Sequence, residues 1–412
     1  MEALVLDKDF KSVGIVDTYI SFIWTDRFSE CGDFEICTPS DLDMIALLKP
    51  GYYLWFKESD HQMLIEGYET VSDVETDNTI IFTGRSLESI LDRRIIWTQT
   101  NIDENLQDGI EKLLNENVIN PSDSSRKIEN FIFKRSTDER ITKLKLTAQY
   151  TGDNLYDVIC TICKENKIGF KVVLTDENKF EFSLYLGQDR SYAQDANGYV
   201  VFSPDYENIL NSDYLESNKT YKNVTLVAGE GEGAERRVVT VGAAEGLDRR
   251  ELFTDARDIS SSVDGGTISD DEYMNQLVQR GTEKLSENKM VKTFDGEMDT
   301  SQLYSFKEHY DIGDIVQLKD IYGIEASARI IEYIFSKSVS EESRYPTFEI
   351  IDEDGETYSS GGGSMGSSGG STSGSSAGST AVYTKNEVDK LLAEVSGASE
   401  IPEGDILAIC KL

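Results

Sequence analysis

Apolar and polar positions alternate through the first hundred residues with the two-residue period of strands. Residues 16–24 read VDTYISFIW, with Tyr19, Ser21 and Ile23 on one face and Ile20, Phe22 and Trp24 on the other. Residues 52–56, 63–68 and 79–83 are similar runs, separated by turn chemistry at Pro50-Gly51, Ser59-Asp60 and Thr76-Asp77-Asn78. The period then changes. Residues 104–119 carry Leu106, Ile110, Leu113, Leu114 and Val118 at helical spacing. Asp153 is placed to cap a second helix bearing Leu155, Val158, Ile159, Ile162 and Cys163 and ending near Gly169. A hairpin over 170–174 and 180–186 turns at Asp176-Glu-Asn178. From about Tyr206 strands return at 222–228, 237–241, 315–318, 327–334 and 347–351. One helix interrupts them, opened by a Ser269/Glu272 capping box and carrying Met274, Leu277, Val278, Gly281 and Leu285.

The pattern predicts an α+β, mainly β chain. Two small β-barrel-like domains, 1–100 and 206–358, the second with one inserted helix, flank a mixed α+β domain at 101–205. Residues 359–380 include 8 Gly and 10 Ser, too few apolar groups to bury anything, and a coil of that length spans roughly 25 Å. The irregular Met, Thr and Ala interruptions favour a natural tether, with an engineered linker as the alternative. Residues 381–412 form a C-terminal helical tail for oligomerisation or docking. Thr384 and Glu387 make a capping box, and Val388, Leu391, Leu392 and Val395 share one stripe. A helix of under ~12 residues is marginal alone in water, so the tail needs a partner. Self-association in a short coiled coil is the preferred arrangement; docking on another protein and fraying are the alternatives. Residues 401–412 are apolar for a terminus and are expected to pack on something.

Composition narrows the function classes. Acidic residues outnumber basic ones 76 to 40, a net charge of −36, which argues against free-standing nucleic-acid binding, since phosphate affinity comes from Lys and Arg. With 20 Tyr, 17 Phe and 3 Trp, the chain is too aromatic for an acidic disordered polymer. No apolar run approaches the ~18 residues of a membrane span, and the acidic N-terminus does not resemble a signal peptide, so no membrane anchor is expected. Five scattered cysteines do not suggest a disulfide framework. With two histidines, His61 and His309, a histidine-rich metal site or a nucleophile relay is hard to build, and His61 falls in a polar turn expected to be exposed. Cys160-Thr-Ile-Cys163 has a redox or zinc spacing but sits inside a helical stripe, as buried core cysteines do. Gly229-Glu-Gly-Glu-Gly233 alternates glutamates that repel phosphate and precedes a strand, so it is taken as a hairpin loop. No catalytic residue, metal or cofactor is expected.

Four motifs together resemble the central hub proteins at the distal end of long-tailed bacteriophage tails. They are residues 17–24 with Arg27-Phe28 and 32–36; residues 84–94; residues 246–253 with 255–259; and residues 310–316 with Ile324 and 328–330. The resemblance covers about residues 1–351, and the opening of the tail at 383–389 is similar to helices that trimerise fibre proteins. It implies a homotrimer whose subunits each carry two related β-barrels, so that three chains offer six similar modules to a sixfold tail tube. Such a hub joins the tube to distal fibres or a spike, contacts a distal tail or tube protein and a tape-measure protein, and lets the genome pass without specific binding. Three chains would carry −108, and a negative lumen repels DNA. The implied location is the tail tip of a virion, after synthesis in the cytoplasm of a bacterial host. Hubs of this kind often continue into a cell-wall hydrolase or receptor-binding region; none is recognised in residues 1–412, so no lytic role is expected.

The resemblance marks Trp24, Gly84, Arg85, Arg93, Arg94, Arg249, Arg250, Asp255, Gly313 and Asp314 as structural or interface positions. Gly84 before a Ser86 cap suits a sharp strand-to-helix turn, and Arg93-Arg94 suit the end of the helix that follows. Arg249-Arg250 are expected to bridge acidic surfaces, within the chain or between subunits. Gly313-Asp314 form a turn entering a strand. Two rivals stand beside the hub: a cell-wall or capsule glycosidase using two carboxylates, and an adhesin using Tyr and Trp as sugar platforms.

Overall fold

The computed structural model describes residues 1–72, 78–209, 211–263, 266–297, 303–323, 325–340 and 342–351. The tether, the tail with its stripe Val388, Leu391, Leu392 and Val395, and Ile324 lie outside the described residues.

Seven strands come from the alternating N-terminal segment: β1 (Ala3–Leu6), β2 (Ser12–Val16), β3 (Ser21–Arg27), β4 (Asp33–Pro39), β5 (Tyr53–Phe56), β6 (Gln62–Val71) and β7 (Thr79–Ser86), with the short helix α1 (Leu42–Leu47) after β4. In β3 the expected faces hold, with Phe22 and Trp24 buried and Ser21 and Ile23 half-buried. The strand predicted over 16–24 is broken, however. Asp17 accepts the Thr18 hydroxyl at 3.1 Å, a local side-chain bond of the kind that competes with strand pairing, and residues 17–20 cross irregularly from β2 to β3.

A 3-10 helix, Leu87–Arg93, leads into β8 (Thr100–Asn105), α2 (Leu106–Leu114), β9 (Phe131–Lys134), α3 (Glu139–Thr142), β10 (Lys145–Tyr150), α4 (Leu155–Glu165), β11 (Gly169–Leu174) and β12 (Phe180–Tyr185). Leu106, Ile110, Leu113, Leu114 and Val118 are all buried, as their spacing predicts. The α4 cap is Asn154, whose side chain accepts from the N–H groups of Tyr156 and Asp157; Asp153 instead accepts from Thr151 N–H. The first buried residue of the stripe is Leu155, so the cap falls one position later than the pattern suggests. Gly169 opens β11 instead of ending the helix, which closes at Asn166. The β11–β12 hairpin turns through Asn178, whose φ of 58° lies in the left-handed region that Asn tolerates.

The remaining elements are β13 (Val201–Phe202), β14 (Asn211–Ser217), β15 (Val224–Ala228), β16 (Val238–Val241), β17 (Glu251–Asp255), β18 (Ser262–Val263), β19 (Gly266–Thr267), α5 (Asp270–Ser286), β20 (Val291–Glu297), β21 (Ile315–Lys319), β22 (Glu325–Ser338) and β23 (Glu342–Ile351). Ser269 caps α5, its hydroxyl accepting from Glu272 N–H at 3.1 Å. Residues 229–233 lie in the β15–β16 hairpin connection, as expected.

The fold is α+β and mainly β. One sheet runs β14-β20-β23-β22-β3-β4-β7-β6-β5-β1-β2, and β21 joins it through β22; among the described residues no sheet closes into a barrel. Strand β22 joins the early and the late strands of the described residues. Residues 325–329 pair with β21, and residues 332–338 pair with β3. The buried positions shift from Ala328 and Ile330 to Tyr333 and Phe335, from even to odd, where the register with β23 slips between Ile330 and Glu332. A bulge of this kind flips the inward face and turns the strand toward a new partner. Around the junction, Phe22, Trp24, Phe56 and Phe335 pack with ring centroids 5.0–6.1 Å apart. Such pairs add about 0.5–1.5 kcal/mol each beyond area burial.

Candidate functional site

Of the residues marked by the sequence, Trp24, Gly313 and Asp314 lie at seams between the N-terminal strands, the mixed segment and the C-terminal strands. Trp24 is fully buried, and its indole N–H donates to Asp26 Oδ1 at 2.9 Å. Asp26 is buried as well, with the Ser59 hydroxyl 2.8 and 2.6 Å from its two oxygens. Ser59 also accepts from His61 N–H at 2.9 Å.

His61 departs from its expected exposure. It is 3% exposed, and its Nδ1 lies 3.0 Å from Glu88 Oε1, an oxygen that also accepts from Val172 N–H at 2.8 Å. The polar turn 58–62 reads as a loop tip in one dimension, but β11 and the 3-10 helix lie against it. Leu174 N–H donating to Gln62 Oε1 at 2.8 Å marks the same contact. Burial by itself lowers the His61 pKa, but the carboxylates of Glu88 and Asp26 outweigh it and hold the imidazole above its ordinary value. Burial pushes Glu88 up, and His61 with the hydrogen bonds around the carboxylate brings it below the usual range. Burial holds Asp26 above that range.

Gly313 and Asp314 form a second seam, at the turn into β21. Asp314 is buried; its Oδ1 accepts from Gln188 N–H at 2.6 Å, and its Oδ2 from Arg190 Nε at 2.8 Å and Asp311 N–H at 3.1 Å. Gly313 has φ of 91°, and a Cβ there would come 2.5 Å from the Phe28 ring. Only glycine fits both the backbone and the space.

Between the seams lies a cleft of about 320 Å³ lined by Asp60, His61, Lys171, Arg190, Lys307, Asp311 and Asp314 among others. Most of its charges are matched internally. Lys307 Nζ is 2.8 Å from Asp60 and 2.9 Å from Asp311, Lys171 Nζ is 3.5 Å from Asp60, and Arg190 holds Asp314. Partners already at salt-bridge distance leave the cleft suited to holding strands together. Among the described residues no group of three or more His, Cys, Asp and Glu could hold a metal ion.

Gly84 lies within β7, and its expected role in a turn is corrected. A Cβ there would come 1.9 Å from Leu64 O and 2.8 Å from the Phe34 ring, so glycine is required by the close approach of β6 at its bulge. Nor does Ser86 cap the following helix, because its hydroxyl accepts from Gly32 N–H at 2.7 Å. Arg85 grips Glu66 with two bonds, at 2.8 and 2.9 Å, and reaches Asp92 at 3.2 Å. Arg93 stands exposed in the last turn of the 3-10 helix, while Arg94 turns away to donate to Arg126 O at 2.8 Å. Arg249 pairs with Glu251 at 2.6 Å, Arg250 stacks over Tyr221 at 5.9 Å, and Asp255 is shared by Arg236 and Arg257. Within the chain Arg249 thus meets an acidic partner, while Arg250 donates to Asn218 O instead.

Cys160 and Cys163 are buried in the α4 stripe, as predicted. Sequence reasoning missed Asp26, Ser59, Glu88 and Arg190, which come together only through strand pairing between distant segments. The available signals were the W-x-D spacing that puts Asp26 two residues after Trp24 and the place of Glu88 inside the motif 84–94.

The open, mainly β assembly stitched by polar seams has a fold similar to that of two solved tail proteins. It is similar to the tail protein from Neisseria meningitidis MC58, with a TM-score of 0.52 and 11% identity over 86% of this chain and 97% of that one. It is also similar to the 43 kDa tail protein of prophage MuSo2 from Shewanella oneidensis, with a TM-score of 0.51 and 12% identity over 86% and 99%. At these identities the likeness concerns the fold alone. The family comes from the sequence: residues 2–348 match the Siphovirus ReqiPepy6 Gp37-like proteins, and the chain belongs to this siphovirus tail protein family. No curated protein matches the sequence.

Proposed function

We propose that the chain is a structural hub of a siphovirus tail tip, a homotrimer that joins the tail tube to distal fibres or a spike and leaves an axial path for the genome. The observation that carries this reading is β22, which pairs with β21 over one half and with β3 over the other, so that the first and the last strands of the described residues belong to one platform. A part that transmits load between tube and fibre needs such a frame, held by aromatic packing and internally matched charge. The net charge of −36 per chain favours a lumen that releases DNA. In this reading the chain binds neighbouring tail proteins and catalyses no reaction.

Light scattering on the purified full chain tests the assembly. A trimer of 46.1 kDa chains, about 138 kDa, is expected, and electron microscopy of virions with antibody to the chain should label the tail tip. A monomer at all concentrations together with unlabelled tails refutes the hub. Clearing of a peptidoglycan or capsule zymogram would replace it with the glycosidase.

A further inference from the structure

An exposed aromatic patch lies apart from the seams. Phe202 of β13 stands opposite Leu318 of β21 in a parallel pair, so the turn Pro204–Tyr206 continues alongside the tip of the β21–β22 hairpin. Tyr192 lies beside both Tyr199 and Tyr206, and Tyr322 stands on the turn that follows β21; the four are exposed at 49%, 45%, 51% and 83% in that order. Tyr192 and Tyr199 meet edge to face at 5.4 Å, and the Tyr199 hydroxyl donates to Asp195 at 2.8 Å. Tyr206 and Glu325 lie close enough to Tyr192 to raise its pKa, although its partial burial is the larger cause.

The charge around these rings is one-sided. Asp195, Asp205, Glu207 and Glu325 are exposed carboxylates at the patch. Its cations are committed to the chain itself, Lys319 to Asp205 at 2.6 Å and Arg190 to the buried Asp314. Solvent-exposed tyrosines grouped this way need an explanation, because large aromatics ordinarily hide their faces. Tyr presents a flat, electron-rich face at little entropic cost, a guanidinium stacks on such a face, and carboxylates nearby take its N–H groups.

We propose that this patch is a docking surface for an arginine-rich segment of a partner protein, whose guanidinium groups stack on Tyr192, Tyr199, Tyr206 and Tyr322 and pair with the surrounding carboxylates. This deepens the tail-tip reading by giving the chemistry of one partner, and its test does not depend on assembly. Arginine is favoured over lysine because its planar, weakly hydrated group gains from stacking as well as from charge.

The test uses the full chain, titrated by calorimetry with a hexa-arginine peptide, a hexa-lysine peptide and, as a neutral probe, chitohexaose. Two sets of variants are compared with wild type, Tyr192→Ala/Tyr199→Ala/Tyr206→Ala/Tyr322→Ala and Asp195→Asn/Glu207→Gln/Glu325→Gln. All seven side chains are exposed, and thermal melts confirm that both variants fold. Tighter binding of the arginine peptide than of the lysine peptide is expected, weakened about tenfold or more by the tyrosine substitutions and also by loss of the carboxylates. Three outcomes overturn the proposal. One is arginine binding that survives the tyrosine substitutions, which would mean diffuse attraction to an acidic chain. Another is equal binding of the two peptides. The third is chitohexaose binding that the tyrosine substitutions abolish, which would make the patch a sugar platform.

Discussion

Replacing Glu88 by Gln asks whether charge holds the buried seam. The carboxylate accepts from Val172 N–H at 2.8 Å and faces His61 Nδ1 at 3.0 Å, with both side chains buried. The amide keeps the size and can still accept from Val172, so the substitution isolates the charge. Breaking a buried pair from one side costs about 3–5 kcal/mol when the other charge is trapped. Here the imidazole can shed its proton, so a loss of about 2–3 kcal/mol near pH 6 is expected.

The pH dependence has a definite sign. Because the folded His61 pKa is raised, its contribution is complete below the ordinary value of about 6.5 and disappears as pH climbs through the folded value. Because the folded Glu88 pKa is lowered, its contribution is complete above the ordinary carboxylate value and is lost only in acid. The penalty should therefore be largest between about pH 5 and 6.5 and shrink toward pH 8.5. Asp60, brought below its usual range by Lys307 despite burial, stays ionised through this window, and so does Lys307, raised by Asp311 and Asp60 against burial. Lys171 also borders the histidine. An Asp26→Asn control separates the titration of that carboxyl, which burial holds high.

Urea unfolding of the full chain at fixed concentration, from pH 5.5 to 8.5, measures the penalty. Imidazole NMR reads the pKa directly, since the chain has two histidines and His309→Gln leaves one signal. A penalty equal at pH 6 and 8.5, or a wild-type His61 that titrates at the ordinary value, refutes the reasoning.

Gly84→Ala should destabilise by about 2–4 kcal/mol, because the new methyl meets Leu64 O, whereas Gly67→Ala on the neighbouring strand meets nothing within 4 Å and should change little; thermal melts compare the two. Burial, with the charges of Glu283 and Glu287, pushes Glu165 up to about 8, so folding takes up a proton there and stability falls as pH rises from about 4.5 to about 8. Glu165→Gln should then stabilise by about 1–2 kcal/mol at pH 8 and change nothing at pH 4.5, as read from denaturation midpoints. Burial raises the pKa of both Cys160 and Cys163, so iodoacetamide at pH 8 should label neither in the native chain and both in urea, as resolved by peptide mass mapping.

The local pattern was sufficient wherever one element decides its own structure. The α2 stripe, the Ser269 cap of α5, the β11–β12 hairpin and the buried Cys160-Cys163 pair follow from period and turn chemistry, because backbone hydrogen bonds and burial act within a few residues there. The hub-like motif positions also sit at structural contacts: Trp24, Arg85, Gly313 and Asp314 all lie at strand junctions.

Tertiary structure alone decided the rest. Gly84 reads as turn chemistry until β6 approaches it, and His61 reads as a loop tip until β11 and the 3-10 helix cover it. The pairing of β22 with β3 joins residues about three hundred positions apart. Which distant strand lies beside which is set by shared burial and register across the whole sheet, and no short stretch of sequence carries that information.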